Sequence, residues 1–503
     1  MENKSIIIIG AGIAGLSTGI YAQMNGYRSR IYELHTIPGG VVTAWRRKGY
    51  LIDGCVDRLA GSSPRYPRLY RYWQEIGLIQ GRQIFDPEMF FRVEDRDGQA
   101  FNLYCDADRL EQHMLALAPE DEKTIRQMCE AIRKFRVLRA GSAAPNFVQN
   151  LKNQLQMMSI MPHLIRYGKM TMKDLGELFQ SPLLRRAFGE VIWEPNISAL
   201  ALLITLSNMN DKTSGYPLGG SLPMALAVAK RYRSLGGEIH YKARVSKILI
   251  ENDCAVGVRL EDGREERADL VISAADGHAT LFQMLEDRYT PDKFRTMYAD
   301  WVRITPLVFI ALGVNRIFDE CKGITGGLLF EVNPPLSVAG KPVKHLHVKI
   351  YNYDPSMAPQ GKTVLTVQIL TDYAYWSRLY DDGSDRALYM AEKERVAREV
   401  IQRLDLRFPG LAEQVEMVDV ATPVTYEHYT GNWQGCYEGW QPTPSVFLKT
   451  ISKTLPGLDN FYMVGQWVFA GGGLPCGVIT GRQVVQEMCK KDGNKFQATI
   501  ACT

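Results

Sequence analysis

Three glycines, Gly10, Gly12 and Gly15, stand in the spacing Gly-x-Gly-x-x-Gly, and an acid follows at Glu33. This combination suits a nucleotide. Gly10 permits a tight turn, Gly12 has no side chain to block a pyrophosphate, and Gly15 lets a helix lie close on a sheet. Ile13 and Ala14 open that helix, so their free backbone N–H groups and the helix dipole face the phosphates. Glu33 can accept hydrogen bonds from both ribose hydroxyls. An acid there disfavours a 2′-phosphate, so FAD or NAD fits better than NADP. Gly39, Gly40 and Val41 come next, and paired glycines let backbone amides approach a second phosphate or a ribityl chain. Near the other end, Gly465-Gln466-Trp467 leads to Gly471-Gly472-Gly473-Leu474-Pro475. A helical pattern begins at Val478, so a second helix N-terminus is aimed at an acceptor. In a flavin site that acceptor is the O2 edge of the ring, the ribityl chain or the phosphates.

These groups need elements to position them. The isoleucine run 5–9 reads as a buried parallel strand. Residues 16–25 read as a helix ended by Gly26, and 28–33 as a second strand that ends in the acid. Strand, glycine loop, helix, strand and acid together form the whole β-α-β dinucleotide fingerprint. Residues 460–465 read as a further strand before the second glycine-rich loop.

Residues 425–440 are dense in aromatics and glycines and precede that loop. Tyr426, Tyr429, Trp433, Tyr437 and Trp440, with Trp467, are candidates to line an apolar slot. His428 and Glu438 are candidates for proton transfer, although the motifs themselves require no catalytic acid or base. His345 and His347 fall on one face of a strand. No Cys or His cluster supports them, so no metal is expected. Lys449 and Lys453 are the lysines nearest the final motif.

The chain has 503 residues, 46% hydrophobic and 23% charged, with a formal net charge of +4. These proportions exclude a disordered chain or a disulfide scaffold, and the mild charge does not predict nucleic-acid binding. Nine scattered cysteines with no C-x-x-C pair fit a reducing cytoplasm and exclude a dithiol redox pair. No apolar run approaches the ~20 residues a spanning helix needs. Segments 108–117, 122–138 and 174–179 have helical spacing, and residues 60–219 read as a mostly helical cap. Segment 151–172 is rich in methionine and basic residues. A pliable lid that meets lipid is one reading; the preferred one is a cap helix packing its own core, because Pro162 breaks the helix. Residues 285–425 hold strand-like runs at 306–312, 328–331, 345–351 and 363–370, with helical spacing at 387–406.

Together, Gly10-x-Gly12-x-x-Gly15, Glu33-x5-Gly39-Gly40 and Gly465-Gln466-Trp467…Gly473-Leu474-Pro475 resemble the phytoene desaturase, carotenoid isomerase and retinol saturase superfamily of flavoproteins. The central stretches 216–222, 245–250, 257–263 and 268–276 agree, so the resemblance runs from about residue 5 to 490. It implies an α/β fold: a discontinuous Rossmann-like FAD domain with an inserted α+β substrate domain, a mixed antiparallel sheet under a helical cap. The expected FAD unit comprises 1–75, 216–284 and 441–503, and the expected substrate unit 76–215 and 285–440. The backbone of Val245 would meet the adenine, and Gly465 to Val478 the ribityl chain and flavin. Three positions depart from the family pattern. Val41 stands where many relatives carry a basic residue, Gln466 where an acid is frequent, and Cys476 where relatives vary, the plain reading of Cys476 being a small packing residue.

The activity implied is FAD-dependent oxidoreduction at carbon–carbon bonds of an apolar polyene or isoprenoid substrate, as desaturase, saturase or redox-neutral isomerase. Alternatives are a flavin amine oxidase acting on a smaller substrate, or a prenyl-group-binding chaperone of the same fold. A lipid-soluble substrate further implies peripheral contact with a membrane surface. The oligomeric state is left open.

Overall fold

In the computed structural model, the described residues are 4–139, 147–381, 386–447 and 449–502. Two sheets organise the chain. The first has five parallel strands in the order Glu238–His240, Arg28–Tyr32, Ser5–Ile9, Leu270–Ser273 and Phe461–Met463. Ser5–Ile9 lies at its centre. Alternation splits its isoleucines between two cores: Ile6 and Ile8 pack under the helices, Ile7 and Ile9 against the opposite layer. A strand covered on both faces is the reason the run is uniformly apolar.

The helix Ile13–Met24 follows the first strand, and its N-cap, Gly12, makes no side-chain capping bond. A Cβ on Gly15 would lie 2.0 Å from the Gly10 carbonyl oxygen, so only glycine allows this helix to sit on the turn. The C-terminal helix Gly473–Lys491 packs along it. A Cβ on Gly481 would come within 2.6 Å of Thr18 Oγ1, so small residues set that close approach as well.

The second sheet has seven strands in the order Val415–Ala421, Leu307–Val314, Thr363–Leu370, Lys341–Ile350, Ile324–Val338, Met89–Glu94 and Ala100–Tyr104. All neighbours are antiparallel except Ile324–Val338 with Met89–Glu94. Val308, Ile310, Leu312 and Val314 face one core, and Leu307, Phe309 and Ala311 face another. The helix Ala387–Arg407 covers the first of these faces.

The cap departs from the sequence expectation at two points. It is not purely helical near its start, because Met89–Glu94 and Ala100–Tyr104 join the seven-stranded sheet. The helix Phe147–Gly168 also runs through Pro162 instead of breaking there. It packs Ile160 and Tyr167 into the cap core, while Met158 remains 70% exposed and Ile165 53%. The Lys152 side chain lies outside the described residues. Among the described residues no helix is long and apolar enough to cross a membrane.

Candidate active site

The two helix N-termini open on one cavity of about 1140 Å³, which continues between the two sheets and under the cap. At its nucleotide end, Gly10, Gly12, Ile13, Ala14, Gly39, Gly40 and Val41 line the wall. Gly39 donates its N–H to the Ala11 carbonyl at 2.9 Å, which ties the second glycine loop to the first. A Cβ on Gly12 would meet nothing within 4 Å, so the space above that backbone is open.

Glu33 also lines this end, although it is only 5% exposed. Its carboxylate accepts from the Ala11 N–H at 2.6 Å and the His35 N–H at 2.8 Å. Burial pushes its pKa up, and those N–H bonds pull it back. Each oxygen keeps a second acceptor site for a ribose hydroxyl. The Glu33 backbone bonds to His240 and Ala243, bringing Val245 to the same wall.

At the other cradle, Gly465, Gln466, Trp467, Gly473, Leu474 and Pro475 line the cavity. The C-terminal helix has no side-chain cap, so its first N–H groups remain free for a ligand. Two uncapped helix starts, open space above Gly12 and a buried acid fit an adenine dinucleotide with a second polar group at its far end. Gly15 and Val478 do not line the wall: Gly15 is pressed on the turn, and Val478 is fully buried in the core. Cys476 is also fully buried, and burial pushes its thiol up, which fits a packing residue.

The substrate end brings together only part of the aromatic set. Tyr426, Tyr437 and Trp467 line the cavity. Tyr429 does not; it is 51% exposed on the outer side of the helix Pro423–Thr430, beside exposed His428. Trp433 stacks on His278 with centroids 4.1 Å apart. Trp440 is fully buried against Trp467, Tyr298 and Trp301. The segment holding these residues is a helix followed by a tight turn. Helical spacing therefore sends its aromatics in different directions.

Of the two proton-transfer candidates, Glu438 reaches the cavity and His428 does not. Gly472 and Gly473 pack against the Glu438 side chain, so the carboxyl stands beside the second helix start. Burial pushes it up to about 7, against the pull of Arg58 and with Asp57 adding to the rise. Lys449 and Lys453 stay away from the wall, Lys449 lying 5.2 Å from the Trp301 ring centroid.

Two lysines line the cavity, Lys344 and Lys349, and the sequence reading missed both. His345, His347 and Lys349 alternate along the strand Lys341–Ile350, Tyr351 follows just past its end, and all four line the cavity. Lys349 pairs in register with Thr366, and His347 with Gln368, both on the same wall. His347 Nε2 lies 2.7 Å from the Gly326 carbonyl, and burial pushes its pKa down. Among the described residues no group of three or more His, Cys, Asp or Glu converges as a metal site. Asp53, Asp57 and Arg58 add to the polar side of the cavity, which also holds Glu190, Glu194 and Lys344. Across from them the cap and sheet supply Ile197, Ala201, Ile204 and Leu329.

The model of the flavin-containing amine oxidoreductase family matches residues 13–489. The chain belongs to that family. FAD is the cofactor of this flavoenzyme, and the protein is an oxidoreductase. It is 26% identical over 504 residues to the prolycopene isomerase of Daucus carota, covering 94% of this chain and 78% of that one. It is 24% identical to the lycopene-forming phytoene desaturase of a Paracoccus species, over 96% and 97% of the two chains. With the all-trans-retinol 13,14-reductase of Danio rerio it shares 23%, over 95% and 86%. Among solved structures, putrescine oxidase bound to putrescine superposes with a TM-score of 0.61 at 13% identity, over 97% and 99% of the chains. An oxidoreductase from Methanosarcina mazei gives 0.59 at 17%, over 95% and 100%. Those two likenesses concern the fold of the flavoenzyme.

Proposed function

We propose that this flavoenzyme acts on the carbon–carbon double-bond system of an apolar, polyene or isoprenoid-like substrate. The observation that carries the reading is the cavity. It passes from the glycine cradle to an apolar wall of cap and sheet side chains, a space suited to a long apolar chain lying against a flavin. The curated relatives named for prolycopene, phytoene and retinol support the same substrate class.

The bound flavin supplies hydride acceptance and donation at N5. The chain's own residues do the rest. Gly10 to Ala14, Glu33, Gly39 to Val41 and Val245 hold the dinucleotide; Gly465, Gln466 and Gly473 to Pro475 position its reactive end. Tyr426, Tyr437 and Trp467 wall the slot and exclude water. Glu438, pushed by burial up to about 7, is poised to hold or release a proton near neutral pH at the carboxyl beside the second helix start.

The test is an anaerobic product profile with apolar polyenes and with amines, run with oxidised and with reduced flavin. Conversion of a polyene is the expected result. Conversion of amines alone sinks the reading.

A further inference from the structure

A hydrocarbon substrate asks for no buried ionisable group, yet this cavity contains several, and the bonding of one, Lys349, is incomplete. Lys349 is 7% exposed and projects from the middle of the seven-stranded sheet into the cavity. Burial pushes its pKa down, and nearby Asp57 and Asp53 pull it back up; as an ammonium it has three donors. One reaches the Val56 carbonyl oxygen at 3.2 Å. The rings of Tyr216 and Tyr351 lie 5.2 and 4.9 Å away and stabilise the charge without accepting a conventional hydrogen bond. No carboxylate among the described residues forms an ion pair with it.

The two nearby acids are already engaged. Asp53 accepts from Ser221 Oγ at 2.5 Å and from the Tyr216 hydroxyl at 3.0 Å. Asp57 takes both its bonds from one nitrogen of Arg58, at 2.9 and 3.1 Å. Arg58 in turn lies 5.3 Å from the Phe90 ring and 5.6 Å from Trp193, with its remaining nitrogens unbonded among the described residues. Of the cations that line the cavity, Lys349 and Arg58 thus keep donors to spare at the wall formed by Asp57 and Val56. Buried cations are costly unless paired, and in a pocket a few polar groups fix the orientation of an otherwise apolar ligand.

We infer that the substrate is an apolar chain bearing a carboxylate, and that Lys349, assisted by Arg58, binds that carboxylate. The inference rests on the polyene reading and narrows it. Lys349 is thus a specificity-determining residue: it fixes which end of the chain lies at the cation and hence which double bond meets the flavin.

The test is equilibrium binding to the FAD-loaded protein, followed by the change in flavin absorbance. The ligands are a conjugated polyene carboxylic acid, its methyl ester and a polyene hydrocarbon of equal length. The acid is expected to bind about ten- to a hundredfold more tightly than the ester, the gain of a charge-assisted contact in a dry site. In Lys349→Met the acid falls to the level of the ester while ester binding holds, which also shows that the variant is folded. Lys349→Arg keeps part of the preference. Equal binding of acid and ester by the unaltered protein overturns the inference and leaves the polyene reading standing. A preference that survives in Lys349→Met removes the role of Lys349. Binding of none of the three overturns both readings. The comparison of acid with ester decides even if the variant fails to fold.

Discussion

The two ends of one cavity are built by different means. The nucleotide end is made of backbone: glycines, uncapped helix starts and a single carboxylate, all within short stretches of chain. The substrate end is made of side chains from segments near 55, 195, 350 and 435, which only the tertiary fold brings together. Backbone sites are local and tolerate almost no added atoms. Side-chain sites are assembled at a distance and can change ligand by single substitutions. Any enzyme that keeps its cofactor while varying its substrate benefits from this division.

The sharpest way to break the comparison is at Gly15. Its missing Cβ would sit 2.0 Å from the Gly10 oxygen, a backbone atom that cannot give way alone. Gly15→Ala should lift the helix from the turn. The expected cost is about 1–3 kcal/mol of stability with most FAD lost on purification, read by thermal unfolding and by bound-flavin absorbance. Gly12 separates ligand from fold. An added methyl there meets nothing in the protein, so Gly12→Ala should leave apoprotein stability within about 0.5 kcal/mol while FAD affinity drops about tenfold or more. Equal loss of stability in both variants would show that the glycines serve packing alone.

The same division explains what the sequence made legible. The strand Ser5–Ile9, the helix after it and the acid at Glu33 were readable because each is specified by neighbours within a few residues. Tyr426 and Tyr437 reached the cavity, but Trp433 and Trp440 did not, since spacing along a helix and turn does not say which side is covered. Met89–Glu94 forms a local hairpin with Ala100–Tyr104 across Asp97-Gly98, a signal within reach that the helical-cap reading passed over; only its pairing with Ile324–Val338, over two hundred residues away, was beyond local pattern. Lys349 was within reach. The alternation that put His345 and His347 on one face continues to Lys349 and Tyr351, and a lysine amid such a face was the available signal.

Glu438 belongs to both ends, since it stands beside the second helix start and faces the substrate space. Burial raises it from the ordinary value near 4.5 to about 7. Between those values the folded protein holds a proton that the unfolded chain has released. The stabilisation tied to the neutral carboxyl is therefore complete below about 4.5 and is lost as pH rises through about 7. Melting temperature against pH should slope downward across that window and flatten in Glu438→Gln. The absorbance of oxidised FAD should shift over the same range in the parent and not in the variant. An unchanged slope would mean that the carboxyl is already ionised and does not supply the proton.

The smallest effect is expected on the cap, where the comparison extends to the outer surface. Helix Phe147–Gly168 buries Ile160 and Tyr167 but leaves Leu155, Met158, Met161 and Ile165 exposed by 60, 70, 43 and 53%. Spaced three or four apart, these four share one face, and Lys169 and Lys173 lie just beyond it. An apolar stripe with basic residues at its end is the pattern of an interfacial helix, and it sits on the cap that walls the substrate end. We propose peripheral membrane contact there. Met158→Ser with Ile165→Ser removes exposed apolar surface only, so stability should stay within about 0.5 kcal/mol. Flotation with anionic liposomes should nonetheless recover less of the double variant than of the parent. If recovery is equal, the stripe has no lipid role, and the apolar substrate must reach the cavity by a route that does not involve this face.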